Sequence, residues 1–277
     1  MSKENDWKAK YLNDTRTTKE LITLALNEED GDVRWELVVT LIHREAQEIF
    51  EVAKRLCEGD SPNERELGAD FLGQLDNDNK LFHEESLSIL FKILEKEIDA
   101  DVLQSATVAL GHLGDERAVG YLVKLKDHPD EDVRYGVVFG LLTHETQEAI
   151  DTLIELSNDE DEDVRNWATF GLGTQIDVDT PEIREALFQR LNEKGNDTCD
   201  DVRGEALVGL AKRKDKRVFE PLMKELERED AGPLILEAAE EFADPRLLPA
   251  LLRLKDLWAE SDIYLENAIE ACQNNSQ

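Results

Sequence analysis

Positive charge is scarce in this chain: 32 Lys and Arg stand against 64 Asp and Glu, a formal charge of −32 over 277 residues. Nucleic-acid affinity comes largely from cations meeting phosphates, so DNA and RNA are disfavoured as partners. Anionic membrane surfaces are disfavoured for the same electrostatic reason. Aromatic residues make up only 6%, so any aromatic outside a core becomes informative. The three cysteines, Cys57, Cys199 and Cys272, are odd in number, far apart and without a CxxC pair. Neither a disulfide framework nor a zinc site is indicated, and a reducing cytoplasm fits. No run approaches the ~18 apolar residues that suggest a membrane-spanning helix. The opening MSKENDWKAKYLND is polar and lacks the apolar centre of a signal peptide. The Val/Ile/Thr alternation of strands is missing, as is a low-complexity linker that would divide the chain.

What the chain does have is a recurring phrase. Residues 130–142 read DEDVRYGVVFGLL, and residues 161–173 read DEDVRNWATFGLG, 31 residues later. The Arg place is held by Arg34, Arg65, Arg134, Arg165 and Arg203, with Leu103 and Ile235 standing in, at spacings of 31, 38, 31, 31, 38 and 32. A weaker instance places Tyr264 there. The anchors 34, 65 and 103 recur at 134, 165 and 203, offset by 100, and Asp115, Arg117, Leu122 and Lys124 match Asp215, Arg217, Leu222 and Lys224. An old duplication of a three-repeat block explains both matches. Self-similarity at this period predicts stacked helical hairpins sharing one continuous core. The expected fold is all-α, a right-handed α-solenoid of about eight hairpins. It is expected to run as one domain: a polar lead-in at 1–16, repeats over 17–260, and a closing helix and tail at 261–277.

Each hairpin is expected to pair an inner helix, which carries the phrase, with an outer one. After a first helix at 17–27, inner helices are predicted near 33–43, 63–75, 101–113, 132–143, 163–174, 201–212 and 233–243. Outer helices are predicted near 45–57, 83–97, 116–126, 147–157, 181–193, 216–228 and 245–257, with a last helix at 262–273. Thr17 or Thr18 is expected to cap the first helix. Asp32, Asp101, Asp132, Asp163 and Asp201, two places before each anchor, are expected to cap inner helices and complement their dipoles. Pro181 and Pro245 suit first helical positions. Pro221 and Pro249 fall inside expected helices and predict kinks or displaced starts. The long spacings come from DNDNKLF after Leu75 and DVDT before Pro181.

The phrase D-V-R-x-x-A-x-x-A/G-L-G, matched throughout by residues 163–173 and in part by the other repeats, resembles the HEAT-repeat family in its short bacterial, phycobilisome-lyase-like form. The resemblance covers roughly residues 17–273. It implies that outer helices lie on a convex side and inner helices line a concave one. It also implies an Arg–Asp ladder between repeats, with Asp127 and Arg134 as local candidates. It says little about function, because such repeats serve many roles.

At about 100° per residue, positions −1, +3, +6, +7 and +10 from the anchor share one packed face. The glycines at 68, 73, 111, 140, 171, 173 and 209 are expected at helix-packing positions or helix ends. The opposite face is centred on +5, where the row reads Val39, Asp70, Val108, Phe139, Phe170, Val208 and Glu240. Trp35, Tyr135 and Trp167 flank it. This predicts a small apolar and aromatic stripe rimmed by Glu36, Glu66, Asp70, Glu205, Glu237 and Glu240, an arrangement typical of an interface. Packing of Phe139 and Phe170 on neighbouring inner helices is the alternative. The expected binding residues are Trp35, Glu66, Asp70, Val108, Tyr135, Phe139, Trp167, Phe170, Glu205, Val208, Glu237 and Glu240.

Catalytic chemistry finds little footing. His83-Glu84 and His144-Glu145 evoke the di-iron site of deoxyhypusine hydroxylase, also a HEAT-repeat protein. There such pairs sit inside inner helices, whereas here the same places hold Trp35-Glu36, Tyr135-Gly136 and Asn166-Trp167, so the ligands would not converge. Asp159, Asp161 and Asp163 superficially suggest calcium, yet Val164 and Phe170 occupy the places where a calcium loop needs Gly and Glu. No phosphate-cradling glycine loop or recognisable nucleophile–base context is present. No metal, cofactor or enzymatic activity is expected. The function expected is protein binding: an acidic concave face holding a basic protein, such as a toxin neutralised by an immunity protein, by a chain that is monomeric when unbound. An assembly scaffold or chaperone, or a bilin lyase-like enzyme with a tetrapyrrole in the groove, is the alternative.

Overall fold

The computed structural model describes residues 11, 14–75, 81–192, 200–258 and 262–275. The lead-in around Trp7, most of the DNDNKLF loop and Cys199 lie outside them. All regular structure among the described residues is helical. Residues 1–140 and 141–277 form two compact units.

The first unit contains α1 (Thr18–Ala25), α2 (Gly31–Ile42), α3 (Ala46–Cys57), α4 (Pro62–Gln74), α5 (His83–Lys96), α6 (Ala100–Leu113), the short α7 (Val119–Leu122) and α8 (Glu131–Leu141), whose last residue crosses the boundary. Inner helices α4 and α6 pack side by side, and α3 and α5 lie against them. The core is built from Leu21, Phe50, Phe71, Leu72, Leu90 and Leu110. Each such side chain contributes about 1.5–3 kcal/mol on burial. Phe50 and Phe82 stack with centroids 4.2 Å apart.

The second unit contains α9 (Gln147–Leu156), α10 (Glu162–Phe170), α11 (Pro181–Asn192), α12 (Asp200–Lys212), α13 (Phe219–Leu226), α14 (Pro233–Phe242), α15 (Leu248–Leu257) and α16 (Ile263–Asn274). Here α12 packs between α10 and α14, and α16 closes on α14. Leu153, Leu172, Leu187, Leu210, Leu222 and Leu251 are fully buried.

The aspartate caps of the inner helices lie two residues earlier than expected. Thr17 caps α1 in a reciprocal box with Glu20, and Ser61 does the same for α4 with Glu64. The caps of α2, α6 and α10 are Asp30, Asp99 and Asp161, and Asp130 accepts from the Asp132 N–H at the start of α8. The expected caps Asp32, Asp101, Asp132 and Asp163 sit instead in the first turn. The reason is the backbone ladder. The N–H in the Arg place already closes a full turn onto the carbonyl four residues earlier, as from Arg34 to Asp30 and from Arg165 to Asp161. The Asp201 side chain is outside the described residues.

Three predicted outer helices are broken at their starts. Segments 116–118, 216–218 and 245–247 form 3-10 turns. Pro221 and Pro249 consequently lie in the first turns of α13 and α15, where their missing N–H costs little. The segment 116–126 keeps only four α-helical residues between 3-10 turns. The inner helix predicted at 163–174 ends at Phe170 and continues as one π-turn, Gly171–Gln175.

Candidate binding surfaces on the inner helices

The recurring arginine is a structural clasp. Arg65, Arg134 and Arg165 each fold back on the carbonyls six and five residues earlier: Gly59 and Asp60, His128 and Pro129, Asp159 and Glu160. A guanidinium suits this task because its fork of donors is planar and permanently charged. The ladder implied for Asp127 therefore takes another form: Arg134 is buried against these carbonyls, while Asp127 is exposed. Arg65 also holds Glu97 of the following hairpin at 2.6 Å, and Arg203 holds Glu225 at 2.7 Å.

In the first unit, Trp35 on α2 is 44% exposed. Two of the expected rim carboxylates do not face outward freely. Arg34 lies 3.0 Å from Glu66 and 3.1 Å from Asp70, and burial pushes both carboxyls above their usual range against the pull of that arginine. Glu66 and Asp70 thus tie α2 to α4. Val108, Tyr135 and Phe139 are half-buried. Phe139 leans on α6: its ring meets His112 edge-on at 5.1 Å, and a Cβ on Gly111 would come within 2.8 Å of it. Burial lowers the His112 pKa, which keeps that neighbour neutral at physiological pH.

In the second unit, Trp167 and Phe170 are half-buried on α10 and meet edge-to-face, with centroids 5.6 Å apart at 81°. Glu205 accepts from the Thr174 hydroxyl at 3.0 Å. Glu237 lies 3.7 Å from the Lys212 ammonium, and Glu240 is half-buried. Val208 corrects the predicted stripe, being 0% exposed. A uniform 100° register puts it in solvent, but α12 is enclosed on two sides. The π-turn presses on it so closely that a Cβ on Gly209 would lie 2.5 Å from the Gly173 Cα, while α14 packs along the other side. Residues 206–211 are buried in an unbroken run.

Three of the four residues in the histidine–glutamate pairs make structural contacts. His83 Nε2 lies 3.0 Å from Asp115, Glu84 takes two bonds from Arg117, and Glu145 accepts from the Asp177 N–H. In the acidic turn, Asp159 and Asp161 accept from backbone N–H groups at 2.8 and 3.0 Å. Among the described residues no three His, Cys, Asp or Glu side chains cluster as metal ligands would. No described helix is long and apolar enough to cross a membrane.

One device went unread in the sequence although its signal, D-x-R, is plain. Asp115, Asp215 and Asp244 cap the 3-10 turns, each accepting from the Arg N–H two residues on and gripping the same arginine's guanidinium. That side-chain bond holds all three carboxyls below the usual range. Arg217 then lies over Phe188 at 4.5 Å and Arg246 over Phe219 at 3.9 Å.

Comparison with known proteins agrees with this geometry. The family described as HEAT repeats matches residues 87–173, 121–199 and 150–243, together more than half the chain. The chain belongs to the HEAT-repeat family. Its fold class is accordingly the α-solenoid. Protein YibA of Escherichia coli K12 is 41% identical over 73 residues, 26% of this chain and 25% of YibA. That sequence match spans about a quarter of the relative's length. The crystal structure of E. coli YibA superposes with a TM-score of 0.78 at 26% identity, covering 99% of this chain and 97% of that one. Kap95p, from a structure with RanGDP, superposes at 0.67 with 15% identity, over 97% of this chain and 43% of Kap95p. At that identity it speaks for the HEAT solenoid fold alone.

Proposed function

We propose that this HEAT-repeat chain binds a basic protein through aromatic residues on its inner helices. The observation that carries the reading is the edge-to-face pair Trp167 and Phe170, left half-exposed on α10 of a chain with charge −32. Aromatic anchors of this kind commonly dominate binding, and a strong field of one sign speeds encounter with the opposite sign. Trp35, exposed, and Tyr135 and Phe139, half-buried, are the aromatic residues of the corresponding places in the first unit. Kap95p, a fold relative, binds RanGDP, so a solenoid of this kind can serve as a protein receptor. Glu66, Asp70 and Glu205 orient the inner helices, and Val208 supports them from the core. The net charge, rather than those four side chains, supports the preference for a basic partner.

The finer form of the proposal is an inhibitor that neutralises a basic toxic protein, with an assembly scaffold for basic subunits as the alternative. Immobilised chain incubated with lysate at low salt is expected to retain proteins of basic composition and release them at high salt. Trp167→Ala with Phe170→Ala is expected to weaken retention by about 2 kcal/mol or more while helicity persists. Retention of nothing basic, or retention indifferent to the double substitution, would overturn the reading. A partner that is toxic when produced alone and harmless beside this chain would separate inhibitor from scaffold.

A further inference from the structure

The outer helices of the first unit carry a feature that the inner-face reading does not use. Between α3 and α5 runs a cleft of about 840 Å3, within the ~300–1,000 Å3 range of small-molecule sites. Its floor is apolar, made by Cys57, Ile89 and Ile93. Burial pushes the Cys57 thiol pKa up to about 12, so this cysteine lines the cleft and does not act as a nucleophile.

The walls depart from the charge of the whole chain. Three ammonium groups, Lys54, Lys92 and Lys96, border the cleft. Of the four bordering carboxylates, Glu97 is held by Arg65 and Glu84 by Arg117, which leaves Glu58 and Glu85. Lys54 is shared with Glu51 at 3.3 Å. Among the described residues neither Lys92 nor Lys96 is in an ion pair. In a protein with two acidic residues for every basic one, two unpaired lysines beside an apolar floor are unexpected. Their spacing of four places them on one face of α5, together with Glu85, Ser88 and Ile89. That face is polarised, with acid toward the helix start, an apolar middle and cations toward its end.

We propose that this cleft binds a small anionic amphiphile, its apolar body over Ile89 and Ile93 and its acidic group between Lys92 and Lys96. The apolar floor supplies the affinity and the lysine pair fixes orientation, the division of labour expected of a preformed ligand site. The site lies on other helices than the proposed protein-binding surfaces and does not depend on them.

The probe is 8-anilinonaphthalene-1-sulfonate, titrated into the full chain and followed by fluorescence. Saturable binding is expected, about tenfold tighter than that of neutral N-phenyl-1-naphthylamine. Lys92→Glu with Lys96→Glu is expected to weaken it by about tenfold, the scale of two partly screened charge contacts. Ser88→Trp, at an exposed position, is expected to fill the cleft and abolish binding without disturbing the core. Circular dichroism establishes that each variant is folded. Absence of saturable binding would overturn the proposal. So would equal binding of the neutral probe, or binding that either variant leaves within about twofold.

Discussion

The two units contain the same helix crossing, offset by 100 residues, solved in two ways. In the first, a Cβ on Gly73 would lie 2.7 Å from the Ala109 Cα; in the second, a Cβ on Gly173 would lie 3.4 Å from the Gly209 Cα and 2.9 Å from the Glu205 carbonyl. The earlier partner is glycine both times. The later one carries a methyl in the first unit and none in the second, where Gly173 sits inside a π-turn instead of ending a regular helix. Bareness at the earlier position is thus required by the crossing itself, while bareness at the later one is required only where the backbone bulges toward it.

The largest effects should come from breaking what the crossings share. Gly73→Val and Gly173→Val are each expected to cost about 3 kcal/mol through forced separation of packed helices, read as a lower urea midpoint with little change in slope. Gly209→Ala should cost about 1–2 kcal/mol. Its methyl would meet the Gly173 Cα at 2.5 Å, offset in part by about 1 kcal/mol of helix propensity. The reverse exchange, Ala109→Gly, meets no steric obstacle and should cost about 1–2 kcal/mol, from helix propensity and the lost burial of one methyl. If Gly209→Ala proves neutral, the contrast between the crossings is mistaken.

The D-x-R clasps extend the comparison at a smaller scale. Arg217 has Asp215, Glu185 and the Phe188 face, whereas Arg117 has the matching carboxylates Asp115 and Glu84. Arg217→Ala is expected to cost about 1 kcal/mol, including the cation–π contact, and Arg117→Ala should be the milder change by thermal melting. Acid titration sharpens the point. Asp115 and Asp215 titrate below the ordinary carboxyl range when folded, because of the arginine bond. Their contribution is therefore full above about pH 4, the unfolded value, and is lost as pH falls below it. Asp115→Asn and Asp215→Asn should flatten the decline in stability on acidification. The place facing each aspartate differs, with His83 at 3.0 Å in one unit and Arg184 at 3.7 Å in the other.

The helices were readable because the arginine phrase recurs beside small residues at fixed offsets, and Leu72, Leu141 and Leu172 fall where that pattern buries them. The candidate surface was readable only in part. Trp35, Trp167 and Phe170 keep exposed area, but the register that exposed them also exposed Val208. Helical counting assumes a uniform turn and a free opposite face. The Gly171–Gln175 π-turn breaks the first assumption and the enclosure of α12 breaks the second. Asp70 misled for another reason: a carboxylate at an outward-facing place reads as solvated, and only the approach of α2 to α4 supplies Arg34.

Period, hairpin order, the glycines at the crossings and the excess of acid were settled by local sequence, because each depends on residues a few places apart or on composition alone. Which carboxylates remain available, which faces close, and the cleft beside Lys92 and Lys96 were decided by tertiary packing. Those properties depend on how near one helix comes to the next, and contacts between residues some thirty positions apart set that distance.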